Sequence, residues 1–260
     1  MKRVQAFEFE DLAWFPALIR DFMTDYLGMA VQVLRLFDPA VDVLATSLSD
    51  AGKHRIVDLG AGGGRVWLSL APALQAKIPG LRICLTDAYP NQHAWDDVVS
   101  ALPDVLTTDQ RPVDAVSVPD DLAGLRTMFL SFHHFLPETA EKILASAVED
   151  CQPVAIFEGQ RRDLRHLIQF AVSPIAVLLM TPAIRPFRLA RLLFTYLIPI
   201  VPLLVAWDGV VSVLRTYSID EMRQLASAAD PSDRFAWAVG ELQSGSSVVP
   251  YMLGVPKSPG

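Results

Sequence analysis

A glycine loop that directly follows a short apolar stretch most constrains how this chain can fold. The stretch Arg55–Leu59 is predicted to be a strand, and it is followed by glycines at positions 60, 62, 63 and 64. Such glycines let the backbone approach a ligand closely, and the helix that follows offers free N–H groups. A dinucleotide site uses G-x-G-x-x-G, which fails here because Arg65 replaces the last glycine. The loop therefore predicts a strand–loop–helix unit for a ligand of another kind.

Apolar segments with strand character alternate with helical segments on both sides of the loop. The predicted strands cover 55–59, 81–86, 105–107, 125–131, 154–157, 235–242 and 248–255. The predicted helices cover 16–37, 39–49, 65–77, 91–101, 138–150 and 218–229. Alternation of this kind indicates a mostly parallel sheet with helices on both faces. The last two strands are predicted to be a closing antiparallel pair.

Composition limits the classes of function that remain. The 260 residues suit one α/β domain with an added cap or insertion, and the net charge of −7 argues against a nucleic-acid partner. The two cysteines form no Cys/His cluster, so we expect no metal site. Residues 1–10 lack the pattern of a signal peptide, so a cytoplasmic protein is expected. The oligomeric state is not indicated.

A hydrophobic segment at about 171–207 interrupts the alternating pattern after the fifth strand. Its only charges are three arginines and it contains five prolines. It is predicted to form one or two proline-broken helices, with Arg185, Arg188 and Arg191 on one side. Because such a helix suits a membrane interface, we expect peripheral contact with the inner membrane surface. The alternatives are a pocket wall for a lipophilic molecule, ordinary core or dimer packing, and a membrane-spanning helix.

The glycine loop and three later motifs resemble those of the class I S-adenosylmethionine-dependent methyltransferases. The loop Asp58-Leu59-Gly60-Ala61-Gly62-Gly63-Gly64 is similar to the first motif of that family, and Asp87 ends the next strand, as its second acid does. Val113-Asp114-Ala115 is similar to the third motif, and Leu130–Phe135 to the histidine-rich turn after strand four. The resemblance implies a Rossmann-like seven-stranded sheet, with 1–50 as a helical lid and 51–260 as the methyltransferase domain.

The same resemblance implies S-adenosylmethionine as cofactor and assigns residues to it. Asp87 would hold the ribose hydroxyls, which need a bidentate acceptor, and Asp114 would meet the adenine amino group. The full set of expected cofactor-binding residues is Asp58, Gly60, Ala61, Gly62, Gly64, Asp87, Ala88, Asp114, Ala115 and Ser131. A cap or ion-pair role is the alternative for Asp87 and Asp114.

Methyl transfer from a sulfonium requires the protein mainly to align the acceptor with the methyl group and to remove a proton. His133 and His134 are the candidate bases because histidine titrates near neutral pH. Their alternative roles are packing against the cofactor and capping of the next helix. The expected substrate-binding residues are Trp14, Tyr26, Glu158, Arg162, Asp208 and Tyr217. Core packing of Trp14 and Tyr26 and a solvated surface role for the charged residues near Glu158 are the alternatives.

The sequence therefore predicts an enzyme that methylates a small hydrophobic acceptor, such as an aromatic molecule, an isoprenoid-like molecule or a lipid. A membrane-associated protein that uses the cofactor fold for docking or regulation is the second hypothesis. A protein or RNA methyltransferase is the third, and its RNA form is disfavoured by the negative charge of the chain.

Overall fold

The computed structural model describes residues 1–12 and 14–257, and the chain divides into two compact units. The sheet unit comprises Arg35–Gly159 and Tyr217–Gly260, and the helical unit comprises Met1–Leu34 and Gln160–Thr216. This division differs from the expected boundary at residue 50, because residues 35–50 belong to the sheet unit. The last three residues of the expected 51–260 domain lie outside the described part.

The sheet unit contains seven strands and five longer helices within its described residues. The strands are β1 (Arg55–Asp58), β2 (Arg82–Asp87), β3 (Leu106–Pro112), β4 (Leu125–Phe129), β5 (Val154–Phe157), β6 (Phe235–Ser244) and β7 (Ser247–Pro256). The helices are α2 (Ala40–Asp50), α3 (Trp67–Lys77), α4 (Gln92–Ala101), α5 (Pro137–Glu149) and α10 (Ile219–Ala229). Pro137 opens α5, and Ser218 with Glu221 forms a capping box at the start of α10.

The sheet has the order β3-β2-β1-β4-β5-β7-β6. Strands β1 to β5 pair in parallel, whereas β7 runs antiparallel to both β5 and β6. The strand order reverses between β1 and β4, and ligands of open α/β sheets bind at the carboxyl ends of the strands beside such a reversal. The glycine loop follows β1, so the topology places it at this crevice.

Alternating side chains of the strands build a core on each face of the sheet. On one face, Val57 and Met128 join the core that α5 and α10 share. On the other face, Phe129 packs edge-on against Trp67 of α3 and stacks on Phe157, with ring centroids 5.4 Å and 5.0 Å apart. Helices therefore cover both faces, as the sequence predicts.

Two elements differ from their predicted bounds by more than two residues at one end. Strand β3 continues to Pro112, although only 105–107 is apolar, because pairing with β2 extends to Asp87 and Pro112. Its outer half is polar, as is usual for an edge strand, so hydrophobicity alone did not find it. The first helix ends at Val33 rather than at residue 37, and Arg35 then adopts a φ of 49°.

The helical unit combines α1 (Ala17–Val33) of the N-terminal segment with the helices that follow β5 and include the expected insertion. The latter are α6 (Leu164–Ala171), α7 (Ser173–Met180), α8 (Leu189–Leu192), a π-helical turn (Leu193–Leu197) and α9 (Ile200–Arg215). Prolines lie at or near the starts of α7 and α9, where a missing N–H costs nothing. Phe22 and Met23 of α1 form a core with Val177 and Val201.

The prediction that Arg185, Arg188 and Arg191 share one side of a helix is wrong. Helix α8 begins only at Leu189, so the first two arginines precede it. Arg191 is buried and forms an ion pair with Asp25, and its guanidinium also lies over the ring of Phe22. Arg188 lies 4.0 Å from Asp21. Two of the three arginines are therefore paired within the helical unit rather than presented as a basic face.

Among the described residues, no single helix is long and apolar enough to cross a membrane. Two bent pairs, Leu164–Ala171 with Ser173–Ala183 and Leu189–Leu197 with Ile200–Arg215, do meet the length and composition criteria jointly.

Candidate cofactor and active site

The glycine loop between β1 and α3 has a backbone conformation that only glycine adopts easily. Gly60, Gly62 and Gly64 have φ values of 65°, 53° and 68°. A Cβ at Gly64 would lie 2.7 Å from the Leu85 side chain, so this glycine lets the loop pack against β2. A Cβ at Gly62 would meet nothing within 4 Å in the described part of the chain. The loop is therefore tightly packed against β2 at Gly64, whereas the space that a side chain at Gly62 would occupy is open.

Hydrogen bonds attach this loop to β2 and α4. The Ala61 N–H donates to the Thr86 carbonyl at 3.0 Å, and the Gly62 N–H donates to Asp87 Oδ2 at 3.0 Å. The Gly62 carbonyl accepts from the Trp95 indole at 2.8 Å. The loop is therefore held in place without any ligand.

The Asp87 carboxylate ends β2 beside the loop. Besides the Gly62 N–H, it accepts the Tyr89 N–H at Oδ1, over 2.8 Å. Asp87 is partly exposed, and Ala88 and Tyr89, which follow it, are exposed. A partly exposed carboxylate at the switch point of the sheet has the chemistry that a ribose diol requires.

Asp87→Ala is expected to weaken binding of S-adenosylhomocysteine by about 10- to 100-fold, which corresponds to losing one charge-assisted contact. Asp87→Glu should retain part of the affinity because it keeps the carboxylate. Isothermal titration calorimetry measures both. Asp104→Ala is the matched control, since it removes an exposed carboxylate just before β3, at the amino ends of the parallel strands, whereas Asp87 lies at their carboxyl ends. Unchanged affinity of Asp87→Ala would mean that Asp87 only braces the loop.

Asp58, at the end of β1, is a buried carboxylate that the chain itself satisfies. Oδ1 accepts from the Thr127 hydroxyl and Oδ2 from the Trp67 indole, each at 2.7 Å. These bonds join β1 to β4 and α3. Burial raises the pKa of Asp58 to about 7, the Thr127 and Trp67 bonds oppose the shift, and the charge of Asp87 adds to it. In this arrangement Asp58 braces the site from below, and direct contact with a cofactor stays a prediction.

The raised pKa of Asp58 predicts a pH-dependent stability. Because the folded protein keeps this proton at pH values where the unfolded chain has lost it, the free energy of unfolding should fall as pH rises from about 4 to about 7. Asp58→Asn should remove this contribution, of a few kcal/mol at most. Urea titrations of parent and variant at several pH values measure it. The pKa of Glu10 is also raised by burial, to about 8, but that contribution cancels in the difference. A pH-independent difference between the two proteins contradicts the prediction.

The third predicted motif lies after β3. Asp114 is exposed and its Oδ1 accepts the Val116 N–H at 2.9 Å, while Ala115 is buried. The carboxylate thus shapes its own turn and keeps Oδ2 for other contacts. Contact of Asp114 with an adenine stays a prediction.

The chain leaves β4 through a strained residue. Leu130 has a φ of 55°, which is uncommon for a residue with a side chain and marks functional turns. Ser131 follows, and a Cβ at Gly60 would lie 3.4 Å from the Ser131 hydroxyl oxygen. That oxygen is buried and has no hydrogen-bond partner among the residues that the structure describes. A buried hydroxyl beside the glycine loop fits a polar ligand group at this point.

His133 and Glu158 form a buried pair across the ends of β4 and β5. Glu158 Oε2 lies 2.8 Å from His133 Nδ1, and Oε1 accepts the His133 backbone N–H, also at 2.8 Å. A carboxylate oxygen accepts hydrogen bonds, so this geometry suits the tautomer in which Nδ1 donates to Glu158 and Nε2 has the lone pair. The structure thus joins a predicted base to a residue predicted for substrate binding. The ring of His134 lies 4.4 Å from that of His133, centroid to centroid.

Four of the residues predicted for the substrate have structural partners in their own unit. Tyr217 is buried in the sheet unit and its hydroxyl donates to the Phe135 carbonyl at 2.8 Å. In the helical unit, Tyr26 lies in the core, and Asp208 accepts the Phe9 and Glu10 N–H groups. Arg162 donates to the Met1 and Thr216 carbonyls. Trp14, by contrast, is 72% exposed.

Sequence reasoning missed three residues that shape the site, namely Trp67, Trp95 and Thr127. Trp67 and Trp95 are buried, yet each donates its indole N–H to the first motif, at Asp58 and at Gly62. A buried tryptophan has to satisfy that N–H, so its position in the helix after each motif was a usable signal. Thr127 inside an apolar strand was another, because a hydroxyl there needs a partner.

Comparison with known proteins finds the same fold in solved structures. No protein-family model and no curated protein matches the sequence. The plantazolicin methyltransferase BpumL, solved with S-adenosylhomocysteine, superimposes with a TM-score of 0.60 at 12% identity, over 96% of this chain and 94% of that one. The methyltransferase SibL gives 0.53 at 16% identity, over 99% of this chain and 63% of that one.

Human N-acetylserotonin methyltransferase, solved with S-adenosylmethionine, gives a TM-score of 0.50 at 14% identity, over 95% of this chain and 59% of that one. The chain therefore spans about three fifths of two of these three proteins and nearly all of the other. With its strand order and its glycine loop after β1, it has the fold of the class I S-adenosylmethionine-dependent methyltransferases.

Proposed function

We propose that this protein transfers a methyl group from S-adenosylmethionine to a small hydrophobic acceptor. The observation that carries the proposal is the Asp87 carboxylate, 3.0 Å from the Gly62 N–H at the switch point of the sheet. This places an acceptor for a diol beside a loop that is open above Gly62. Solved structures with this fold hold S-adenosylmethionine or S-adenosylhomocysteine, which supports the choice of ligand.

The residues of the sheet unit suit the separate parts of this cofactor. The glycine loop offers close backbone approach for the methionine part, and Asp87 offers a bidentate acceptor for the ribose. Asp114, with Ala88 and Ala115, would border the adenine. The buried Ser131 hydroxyl would take a polar group next to Gly60. Asp58 would hold the loop in place through the hydrogen bonds that its two oxygens accept from Thr127 and Trp67.

The reaction asks this chain to position the acceptor and to take one proton. When bound, S-adenosylmethionine would supply a methyl group attached to a sulfonium sulfur, and that sulfur would leave as a neutral thioether. Glu158 fixes the tautomer and orientation of His133 through Nδ1. Nε2 of His133 is therefore the atom that we propose to accept the proton of an acceptor hydroxyl or amine.

A hydrophobic acceptor is favoured by the composition of the segment after β5. This segment is rich in leucine and isoleucine, and pockets for small molecules are lined mainly by apolar residues. Among the residues predicted for the acceptor, the exposed Trp14 remains our proposed contact, with core and hydrogen-bonding roles for Tyr26, Asp208 and Tyr217. The lid role of the N-terminal segment is a further part of this proposal.

Turnover with labelled cofactor tests the proposal. Purified protein is incubated with methyl-labelled S-adenosylmethionine and with either an organic-solvent extract or an aqueous extract of bacterial cells. We expect label in one or a few species of the organic extract, which mass spectrometry identifies as singly methylated products. Asp87→Ala, assayed below saturating cofactor, should slow the labelling.

Three outcomes count against the proposal. Label that enters only the aqueous extract overturns the hydrophobic acceptor. Label in protein or RNA indicates a macromolecular acceptor. Cofactor binding without any turnover, in either extract, indicates the second hypothesis from the sequence, a protein that uses the fold for docking or regulation.

A further inference from the structure

Helices α6 and α7 each carry exposed apolar side chains on one face. Leu164 and Ile168 of α6 are four residues apart, as are Ile175 and Leu179 of α7, which places each pair on one side of its own helix. These four side chains, and Val172 at the break between the helices, are all more than half exposed. The opposite side of these helices packs inside the helical unit, where Val177 is fully buried. The five exposed side chains, called the first stripe, therefore form an outward face rather than a loosely packed core.

A second stripe runs along α8 and the π-helical turn. Leu189, Leu193 and Leu197 are exposed and follow one another at four-residue spacing. The Tyr196 hydroxyl donates to the Leu178 carbonyl, which places this stripe next to the end of the first one. The two stripes together, called the apolar surface below, expose eight large apolar side chains of the helical unit, and exposed apolar patches of this kind mark interaction sites.

The segment that carries the apolar surface has no acidic residue of its own. Between Leu164 and Trp207 the sequence contains four arginines and no aspartate or glutamate, although the chain as a whole has a net charge of −7. Arg188 and Arg191 face carboxylates of α1, Arg165 and Arg185 are exposed, and Asp163 directly precedes the segment. An apolar patch on a segment whose own charges are all positive is complementary to an anionic lipid surface.

We propose that the apolar surface docks the protein onto an anionic membrane surface, with its leucine and isoleucine side chains inserted between lipid headgroups. The helices that carry it are short and bent, with breaks of 45° between α6 and α7 and 78° before α9. Bent helices of this length lie in an interface more readily than they span a bilayer. Attraction comes mainly from the inserted side chains, because two of the expected arginines are paired inside the unit.

This inference depends on the proposed function in one respect only, which is that the membrane is the place where the protein would bind a hydrophobic acceptor. Vesicle binding is measured without turnover, so it fails or succeeds independently of methyl transfer. A protein that methylates a hydrophobic molecule but ignores vesicles would leave the proposed function intact and overturn the docking surface.

Flotation of the full chain with lipid vesicles tests the proposal. One set of vesicles is phosphatidylcholine alone and the other is an equimolar mixture with phosphatidylglycerol. The test variant is Leu179→Asp with Leu197→Asp, since both side chains are more than three quarters exposed (76% and 77%) and contribute little to the core. The matched control is Leu136→Asp, which places the same charge at a half-exposed leucine of the sheet unit.

We expect the parent and Leu136→Asp to float with the anionic vesicles and the double variant to bind them tenfold less or worse. Arg165→Glu with Arg185→Glu should lower the preference for anionic lipid while the apolar contribution remains. Circular dichroism checks that each variant is folded, and the single variants Leu179→Asp and Leu197→Asp serve if the double variant is not.

Three results would overturn the docking surface. The first is a parent that floats with neither vesicle, and the second is a folded Leu179→Asp, Leu197→Asp variant that floats as well as the parent. The third is a stable dimer in sedimentation equilibrium that the same variant separates, because the apolar surface would then be covered by a second copy of the chain. Equal binding to both vesicles would overturn the choice of an anionic surface.

Discussion

Gly62→Val is expected to reduce binding of S-adenosylhomocysteine by about 100-fold or more, which is a loss of about 3 kcal/mol or more. The reason is the open space above this residue, where a Cβ meets nothing within 4 Å in the described chain. A branched side chain in that space occupies the position proposed for the methionine part of the cofactor. No atom of the described residues lies within 4 Å of that Cβ, so the fold should survive. Calorimetry measures the affinity and circular dichroism the fold.

Backbone strain alone could imitate this result, and Gly52→Val is the control for it. Gly52 has a φ of 59°, close to the 53° of Gly62, and a Cβ there also meets nothing within 4 Å among the described residues. It lies in the turn between α2 and β1, at the opposite end of β1 from the loop. Equal losses of affinity in the two variants would contradict the assignment of the loop, because strain and not contact would then explain both.

Much of the sheet unit follows from its sequence because its strands are buried and short. A strand buried on both faces is mostly apolar, and β1 and β5 each appear as a compact apolar run before a polar residue, whereas β4 also buries Arg126 and Thr127. The polar edge strand β3 follows this rule only in its first half, which explains its underestimated length. The glycine loop and Asp87 were found because their spacing along the chain reflects the fold directly.

Pairing between distant residues was not predictable in the same way. His133 and Glu158 each appeared at the end of a strand, but their contact depends on β4 and β5 being neighbours, and strand order is not encoded in local pattern. Likewise, Asp208 is a charged residue in an apolar helix, and this combination suggested a polar side chain that faces a pocket. In the structure it instead satisfies two backbone N–H groups at 2.8 Å and 3.2 Å, which a buried turn requires.

The arginines of the insertion show how one wrong assumption about a helix changes a prediction of function. Spacing of three residues predicts one helix face only if the helix is continuous. Pro186 comes between Arg185 and Arg188, and α8 begins only after both. The apolar part of the membrane prediction depends on composition and not on which residues share a helix face. The exposed leucines are therefore present in the structure, whereas the predicted basic helix face is not.

His133→Ala is expected to lower kcat by about 10²- to 10⁴-fold, the range for removing a general base. The argument is the pair with Glu158, whose carboxylate holds Nδ1–H at 2.8 Å and so leaves Nε2 as the proton acceptor. Cofactor affinity should change little, because none of the contacts proposed for the cofactor uses this ring. Initial rates at saturating cofactor, with calorimetry on S-adenosylhomocysteine, separate the two effects.

Glu158→Gln distinguishes a positioning role from a structural one. The amide can still accept the His133 backbone N–H, but its NH₂ group can donate to Nδ1 and thereby favour the wrong tautomer. We expect a smaller loss of kcat than in His133→Ala, together with a shifted pH profile, and no further loss in the double variant. His54→Ala, at an exposed histidine just before β1, is the control. Full activity of His133→Ala alongside an inactive His134→Ala would assign the base to the other histidine and leave Glu158 as a buried brace.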